Sequence, residues 1–315
     1  CQNGSSLIFY LMNCLTSILF LRIAMQWPRL CVHISKTEVS YPNTDTGLTK
    51  RCAAFCFVIL ILALVEHMLS DLNGFTLAMD CEPGVNLFEA FILRSFRWVF
   101  AYISYNPFLG VIVQLINLQC TFNWNFADVF VICMSLYLTS RFEQVNQRIL
   151  AVKGKNVSSS FWRTMREDYN RVSNLVRKVN SVIGGVVFVS FANNLFFISI
   201  TFFRFNTIIF SFSVYFTFSF IFLVVRWLAV SLSAARVHTM SKQPAHSLYD
   251  VSSNTYCIEV QRFLEQIHGD TVALSGLQFF DVKRGLILSV SYIKLFLFHQ
   301  TFLDNIFYFR LHKQN

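Results

Sequence analysis

Long apolar runs, separated by shorter segments that carry most of the charged residues, dominate the chain. Several of these runs approach or exceed 18 residues, and a helix of about 20 apolar residues crosses the hydrocarbon core of a bilayer. The pattern therefore predicts an all-α polytopic membrane protein. The six predicted spans cover residues 7–25, 52–70, 114–138, 182–203, 208–230 and 285 onward.

The charges beside the spans predict the orientation of each span. Lysine and arginine are enriched in cytoplasmic loops. The loops after the first and third spans are basic, whereas the loop between them carries Asp71, Asp80, Glu82 and Glu89. The basic loops are thus predicted to be cytoplasmic and the acidic loop extracellular. Because the stretch 98–138 joins the two sides, it must cross an odd number of times, and we expect one crossing.

Composition agrees with a membrane protein and excludes a soluble binding module. Of the 315 residues, 55% are hydrophobic and 14% are charged, and the mean hydropathy is +0.50. A soluble domain carries about 25% charged residues. Loop topology explains the net charge of +9 better than nucleic-acid binding does, and we interpret the nine scattered cysteines as free thiols.

Amphipathic segments after the third span extend the predicted helices beyond the bilayer. Apolar residues recur at helical spacing at Phe142, Val145 and Ile149, and the segment 161–179 repeats the pattern. We expect these segments to form an intracellular helical layer. A solvated amphipathic loop is the alternative.

A polar stripe runs along the third predicted span. Asn117, Thr121, Trp124 and Asp128 follow one another at intervals of four, three and four residues, which places them on one helical face. The stripe fits either a wet cleft or hydrogen bonds between helices. Since an ionisable residue within a span costs at least ~2.5 kcal/mol, we hypothesise that Asp128 pairs with Arg226.

Polar and aromatic residues predicted to lie in the outer half of the membrane have a chemistry that suits a sugar. Amides and carboxylates hydrogen-bond hydroxyl groups, and an aromatic face packs against the C–H groups of a sugar ring. The candidate ligand-binding residues are Glu66, His67, Tyr105, Gln114, Asn117, Trp124, Asn193 and Tyr215.

The sequence lacks the catalytic and metal-binding motifs that would indicate an enzyme. It has no glycine-rich phosphate loop, no HExxH and no G-x-S-x-G. Its seven histidines are dispersed without ligand spacing. We therefore expect neither catalysis nor a bound cofactor or metal.

Several stretches, in order along the chain, resemble the sugar-taste branch of the insect gustatory receptors. The resemblance covers most of the chain from Leu7 to Ser289. Its motifs are LALVEH (62–67), VQLINLQCTFNWNFADVFVI (113–132), RFEQVNQR (141–148), FWRTMREDYNRVSNLV (161–176), SFANNLFFI (190–198), RWLAVSLSAA (226–235) and DTVALSGLQFFDVKRGLILS (270–289).

This resemblance implies a seven-helix receptor of inverted topology, with its carboxyl terminus outside the cell. It also implies a homo- or hetero-tetrameric, sugar-gated, non-selective cation channel in the plasma membrane of gustatory receptor neurons. Lipid and sister subunits would be its partners. The chain begins with Cys1 rather than Met, and we expect that it is a fragment without the first of the seven helices.

The carboxyl-terminal end departs from the pattern of that family. We divide the chain into a receptor domain, residues 1–289, and an atypical tail, residues 290–315, in which Lys294 interrupts the last apolar run. The family has a Thr-Tyr, five apolar residues and Gln-Phe in its last helix. Val290-Ser291 could be encoded by GTAAGT, a splice-donor sequence, so we hypothesise that the tail is translated intron.

Two other functions remain as alternatives. A seven-helix G-protein-coupled chemoreceptor would have its carboxyl terminus in the cytoplasm, which the charge pattern does not favour. A membrane transporter would show paired, broken helices in two repeated halves, and the sequence contains no internal repeat.

Overall fold

The computed structural model describes residues 2–38, 46–81, 86–207, 214–253, 255–286 and 288–289. Within these ranges helices dominate, and one short hairpin follows them. In chain order the elements are α1 (Gln2–Glu38), α2 (Thr46–Cys81), α3 (Leu87–Ser95), α4 (Arg97–Phe100), α5 (Pro107–Leu150), α6 (Ser159–Thr207), α7 (Val214–Lys242), α8 (Pro244–Tyr249), α9 (Ile258–Gly269), β1 (Ser275–Gly276) and β2 (Phe280–Asp281).

Four helices of the described part are long and apolar enough to cross a membrane. They lie within Gly4–Glu38, Gly47–Met79, Ser159–Thr201 and Val214–Tyr249. The predicted spans 7–25, 52–70 and 182–203 fall within α1, α2 and α6, and the described part of span 208–230 falls within α7.

Helix α5 contains the third predicted span, residues 114–138, but it is not among the four helices above. Asn123, Asn125 and Asp128 make this span more polar. It nevertheless packs against α1, α2, α6 and α7. Asn125 and Asp128 are buried, and Asn123 bonds to α1, so these three polar groups face protein rather than lipid.

The last predicted span lies largely outside the described residues. Only its first residues, Gly285, Leu286, Leu288 and Ser289, are described. Lys294 and the whole tail 290–315 lie beyond them.

The amphipathic segments are continuations of the long helices, as predicted, rather than solvated loops. Helices α5 and α6 have 44 and 49 residues, or about 66 and 74 Å at 1.5 Å per residue. Both therefore extend far beyond a hydrocarbon core of about 30 Å. Their extensions pack together, and the rings of Phe142, Tyr169 and Phe263 lie in one fully buried row with centroids 5.6 and 5.3 Å apart.

Polar contacts join this intracellular layer at its rim. Arg148 and Arg171 contact the two carboxylate oxygens of Asp168 at 2.5 and 2.9 Å. Arg166 Nε donates to Glu259 Oε2 at 3.0 Å, and this hydrogen bond is the main cause that lowers the pKa of Glu259. The layer thus has an apolar centre and a charged border.

The segment before α5 forms a small separate cluster. Asn86 caps α3, and Asn106 caps α5 by accepting a hydrogen bond from the Phe108 N–H at 2.9 Å. Pro107 occupies the first helical position, where a missing N–H carries no cost. The apolar side chains of α3 and α4 pack on the ends of α2 and α5 around the buried Phe91 and Ile92.

The β1–β2 hairpin, which lies shortly before residue 285, is hydrogen-bonded to α6, and α7 holds the end of α9 that leads into it. Asn180 of α6 donates to Ser275 Oγ and accepts from the Ser275 N–H, both at 2.8 Å. Lys242, at the end of α7, donates to the carbonyl oxygens of Ile267 and Asp270. The start of the last predicted helix is consequently fixed to two of the long helices.

Replacing Gly276 with alanine should destabilise this hairpin. An added Cβ would lie 2.5 Å from Phe280 Cζ and 3.2 Å from the Phe188 Cα. Overpacking of this kind costs about 1–3 kcal/mol, so thermal unfolding in detergent should begin at a lower temperature. Gly269→Ala is the matched control, because its Cβ would meet nothing within 4 Å. Equal melting temperatures for the two variants would contradict the packing described.

Candidate functional site

A buried ion pair joins α5, α6 and α7. Arg226 Nε lies 2.9 Å from Asp128 Oδ2, and both side chains are almost fully buried, with 3% and 0% of their surfaces exposed. Ser190 and Asn194 of α6 donate to the Asp128 carboxylate at 2.5 and 3.0 Å. The pair hypothesised from the sequence is thus brought together, and its carboxylate is hydrogen-bonded by a third helix.

The guanidinium of Arg226 also contacts two amide side chains and two aromatic rings. It donates to the side-chain oxygens of Asn125 and, at 3.2 Å, Asn194. It also lies over the rings of Trp124, 4.4 Å from the centroid, and Phe222, 5.3 Å away. Such contacts offset the high cost of removing a charge from water.

A cavity of about 280 Å³ lies directly above this pair. Helices α1, α2, α5, α6 and α7 all contribute to its wall. Its volume is close to the lower end of the range for small-ligand sites, about 300–1,000 Å³. Five of the eight predicted ligand residues line it: Glu66, His67, Asn117, Trp124 and Tyr215.

A second cavity of about 260 Å³ adjoins the first, and Asn117 lines both. The sixth predicted residue, Gln114, lies here, and its Nε2 donates to Asp71 Oδ2 at 2.7 Å. His67 Nε2 is 3.6 Å from the same oxygen. The two cavities therefore share a polar wall.

Tyr105 and Asn193 were also predicted to bind ligand, but neither lines the two cavities. Tyr105 packs against Phe100 in the cluster before α5, with ring centroids 5.6 Å apart. Asn193 is buried on α6, and its neighbour Asn194 makes the contacts with the ion pair. Because adjacent residues on a helix point about 100° apart, Asn193 faces a different direction from Asn194.

Two residues of the site, on α2 and α7, are not among the predicted ones. Ser219 lines the larger cavity and donates to Glu66 Oε1 at 2.8 Å, and Asp71 lines the smaller one. A signal for Ser219 exists, because Tyr215, Ser219, Phe222 and Arg226 repeat the spacing of four, three and four found on α5. The two stripes face each other across the cavity.

Trp124 has less free ring surface than a sugar-stacking residue would offer. Arg226 covers one face, and the rings of Phe9 and Phe197 approach with centroids at 5.8 and 4.8 Å. Its indole Nε1, however, is buried without a hydrogen-bond partner among the described residues. Trp124 is therefore better placed to donate a hydrogen bond than to stack broadly on a ligand.

The fold is that of the insect olfactory receptors. The structure of olfactory receptor OR5 from Machilis hrabei matches 93% of this chain and 78% of its own, with a TM-score of 0.67 and 12% identity. The same receptor in complex with eugenol matches with a TM-score of 0.61, over 93% of this chain and 79% of its own. The predicted all-α membrane fold is thereby confirmed.

Comparison of sequences shows the family to which the chain belongs. The chain matches the Trehalose receptor family model over residues 1–293 and belongs to that family. It is 35% identical to gustatory receptor for sugar taste 64f of Drosophila melanogaster over 88% of this chain, 32% identical to sugar-taste receptor 64b over 92%, and 28% identical to gustatory receptor 5a for trehalose over 90%.

The chain spans only part of these relatives. It covers 61% of receptor 64f, 74% of receptor 64b and 66% of receptor 5a. The resemblance to sugar-taste receptors noted from the sequence motifs is confirmed.

Breaking the buried ion pair should prevent the protein from reaching the cell surface. Asp128→Arg or Arg226→Asp alone leaves like charges in a buried site, and loss of one partner of a buried pair costs about 3–5 kcal/mol. The double exchange, Asp128→Arg with Arg226→Asp, should restore surface labelling at least in part.

The contact between Glu143 and Arg236 provides the control for that exchange. Its atoms are 2.5 Å apart, but the Arg236 side chain is 47% exposed, and exposed pairs contribute about 1 kcal/mol or less. Single charge reversals there should leave surface labelling close to wild type. If the double exchange at the buried pair expresses no better than either single variant, direct pairing is the wrong explanation.

Proposed function

We propose that the protein is a sugar receptor subunit that acts as a ligand-gated, non-selective cation channel. It works in the plasma membrane of gustatory receptor neurons, as a homotetramer or with sister subunits. It is not an enzyme. The fold and family are those of receptors, and the ligand and the channel activity are the proposed steps.

The observation that carries this proposal is the chemistry of the larger cavity. The carboxylate of Glu66, the amide of Asn117, the hydroxyl of Ser219 and the indole N–H of Trp124 converge on one space. A sugar presents hydroxyl groups that donate and accept hydrogen bonds in several directions, so a cavity with both donors and acceptors suits it. Three of the similar Drosophila proteins carry sugar taste or trehalose in their names, which supports the same ligand class.

The gating mechanism follows from how the cavity connects to the hairpin. Glu66 on α2 and Ser219 on α7 are hydrogen-bonded to each other at the cavity wall, so a ligand that contacts them bears on both helices. Helix α7 in turn holds the end of α9, just before the hairpin that precedes residue 285, through Lys242. A sugar that binds the open arrangement more tightly than the closed one would shift the population toward open channels.

Replacing Asn117 with leucine should weaken the response to sugar. Asn117 lines both cavities, and its Oδ1 accepts from the hydroxyl of Tyr10 at 3.0 Å. Leucine has similar size without hydrogen-bonding groups, so the half-maximal sugar concentration should rise about tenfold or more. Calcium imaging of cells that co-express sister receptors, tested with a panel of sugars, measures it.

The control for this variant is Asn123→Leu, the same change on the same helix. Asn123 bonds to Asn13 and Ser17 of α1 and lines neither cavity. Its half-maximal concentration should stay within about threefold of wild type. Equal losses in both variants would assign Asn117 to helix packing, and no response to any sugar despite surface expression would overturn the sugar as ligand.

The side of the membrane on which the carboxyl terminus lies separates a channel of this family from a G-protein-coupled chemoreceptor. The basic loops predict that an epitope added after Asn315 is extracellular. Antibody should therefore label it on intact, unpermeabilised cells, with an epitope inserted after Lys155 in the α5–α6 turn as the cytoplasmic control. Labelling of the terminal epitope only after permeabilisation would favour the G-protein-coupled alternative.

A further inference from the structure

The charges that face the larger cavity are not balanced. Of the described residues that line it, Glu66 is acidic, Arg226 is basic and His67 gains a positive charge only if it is protonated. Arg226, however, is neutralised from below by Asp128 at 2.9 Å and hydrogen-bonded by two amides. The negative charge of Glu66 therefore remains the dominant charge that a ligand in the cavity would meet.

Glu66 is held in position but retains capacity to accept hydrogen bonds. Among the described residues, the carboxylate accepts a single hydrogen bond, from Ser219 Oγ to Oε1, which is 2.8 Å long. An ionised carboxylate has about four lone-pair sites on its two oxygens. The second oxygen and the remaining lone pairs are thus available to a donor within the cavity.

The adjoining cavity adds a second carboxylate to the negative electrostatic field of Glu66. Asp71 lies five residues beyond Glu66 on α2, about 7.5 Å further along the helix. Among the described residues, its carboxylate contacts the neutral amide of Gln114 and the imidazole of His67. Carboxylates at the walls of a cleft with low dielectric raise the local concentration of cations.

Aromatic rings form a further part of the wall of the larger cavity. Tyr215, Phe216 and Phe222 of α7 and Phe197 of α6 line the cavity beside Glu66. The face of an aromatic ring attracts an ammonium group electrostatically, and the effect is stronger where water is excluded. The cavity thus pairs one oriented carboxylate with several rings, as in sites that bind organic cations.

We infer that this cavity binds hydroxylated primary ammonium ions, of which an amino sugar is the simplest, more tightly than the corresponding neutral sugars. The inference rests on the proposed function, because the hydroxyl groups of the ligand use the same polar residues. Its ammonium group donates to Glu66, and a charge-assisted hydrogen bond is about twice as strong as a neutral one.

The test compares three ligands that share one ring: D-glucosamine, N-acetyl-D-glucosamine and D-glucose. Isothermal titration calorimetry on the purified protein in detergent measures binding without requiring channel activity. At pH 6 the amine of glucosamine is protonated, and glucosamine should bind about tenfold or more tightly than either neutral ligand. At pH 9 the amine is mostly deprotonated, and the preference should disappear.

The variant Glu66→Gln should remove the preference at pH 6 while retaining the acceptor for Ser219. Glu89→Gln is the matched control, since Glu89 lies on α3 and lines neither cavity; it should keep the full preference. The pH comparison on the unmodified protein tests the inference even if Glu66→Gln fails to fold.

The outcomes separate this inference from the proposed function. If glucose binds and glucosamine binds no tighter at pH 6, or if Glu66→Gln keeps the preference, ammonium recognition is overturned and the sugar receptor stands. If glucosamine alone binds, ammonium recognition stands and glucose is excluded as a ligand. If none of the three ligands binds, ammonium recognition is overturned, and the sugar panel of the calcium-imaging experiment decides the proposed function separately.

Discussion

The need to satisfy two opposite charges within a bundle of apolar helices governs the centre of this structure. Asp128 and Arg226 cannot face lipid, so α5 and α7 must present them to each other. The remaining lone pairs of Asp128 accept hydrogen bonds from Ser190 and Asn194, which fix α6 against the same point. An N–H group of Arg226 donates to Asn125. The position of three helices, and therefore the floor of the cavity, follows from one ion pair.

The same requirement explains why a polar cavity exists above that floor. Beyond the ion pair, the stripe of α7 meets α2 and the stripe of α5 meets α1. Glu66 and Ser219 close one side of the gap, and Tyr10 with Asn117 closes another. A bundle that used only apolar contacts would fill this space with side chains.

Most of the helical fold and the core of the site could be predicted from periodicity and charge. The spacing of Asn117, Thr121, Trp124 and Asp128 indicated one face, and the cost of an isolated charge indicated Arg226 as its partner. Periodicity could not tell which of Asn193 and Asn194 faces the ion pair, because the rotation of α6 about its axis is set by packing. Periodicity also could not show that Tyr105 lies outside the two cavities, where the chain turns at Asn106 and the ring packs in the cluster before α5.

The hairpin was also hidden from sequence analysis. Its turn places Leu277 and Gln278 at φ values of 50° and 63°. Tight hairpin turns with two such residues favour Asn-Gly or Asp-Gly, and bulky residues in this region are strained. The hydrogen bonds between Asn180 and Ser275 hold the start of the hairpin in place, and Asn180 is far away in sequence.

Helix α6 carries one mechanical consequence of its length. It runs unbroken for 49 residues, about 74 Å, and contacts the hairpin near its middle, at Asn180, and the ion pair further toward its carboxyl end, at Ser190. A rod of that length that pivots by about 3° at one end moves its other end by about 4 Å. Angular changes too small to disturb side-chain packing at one point are thereby amplified into displacements of a few ångströms at another.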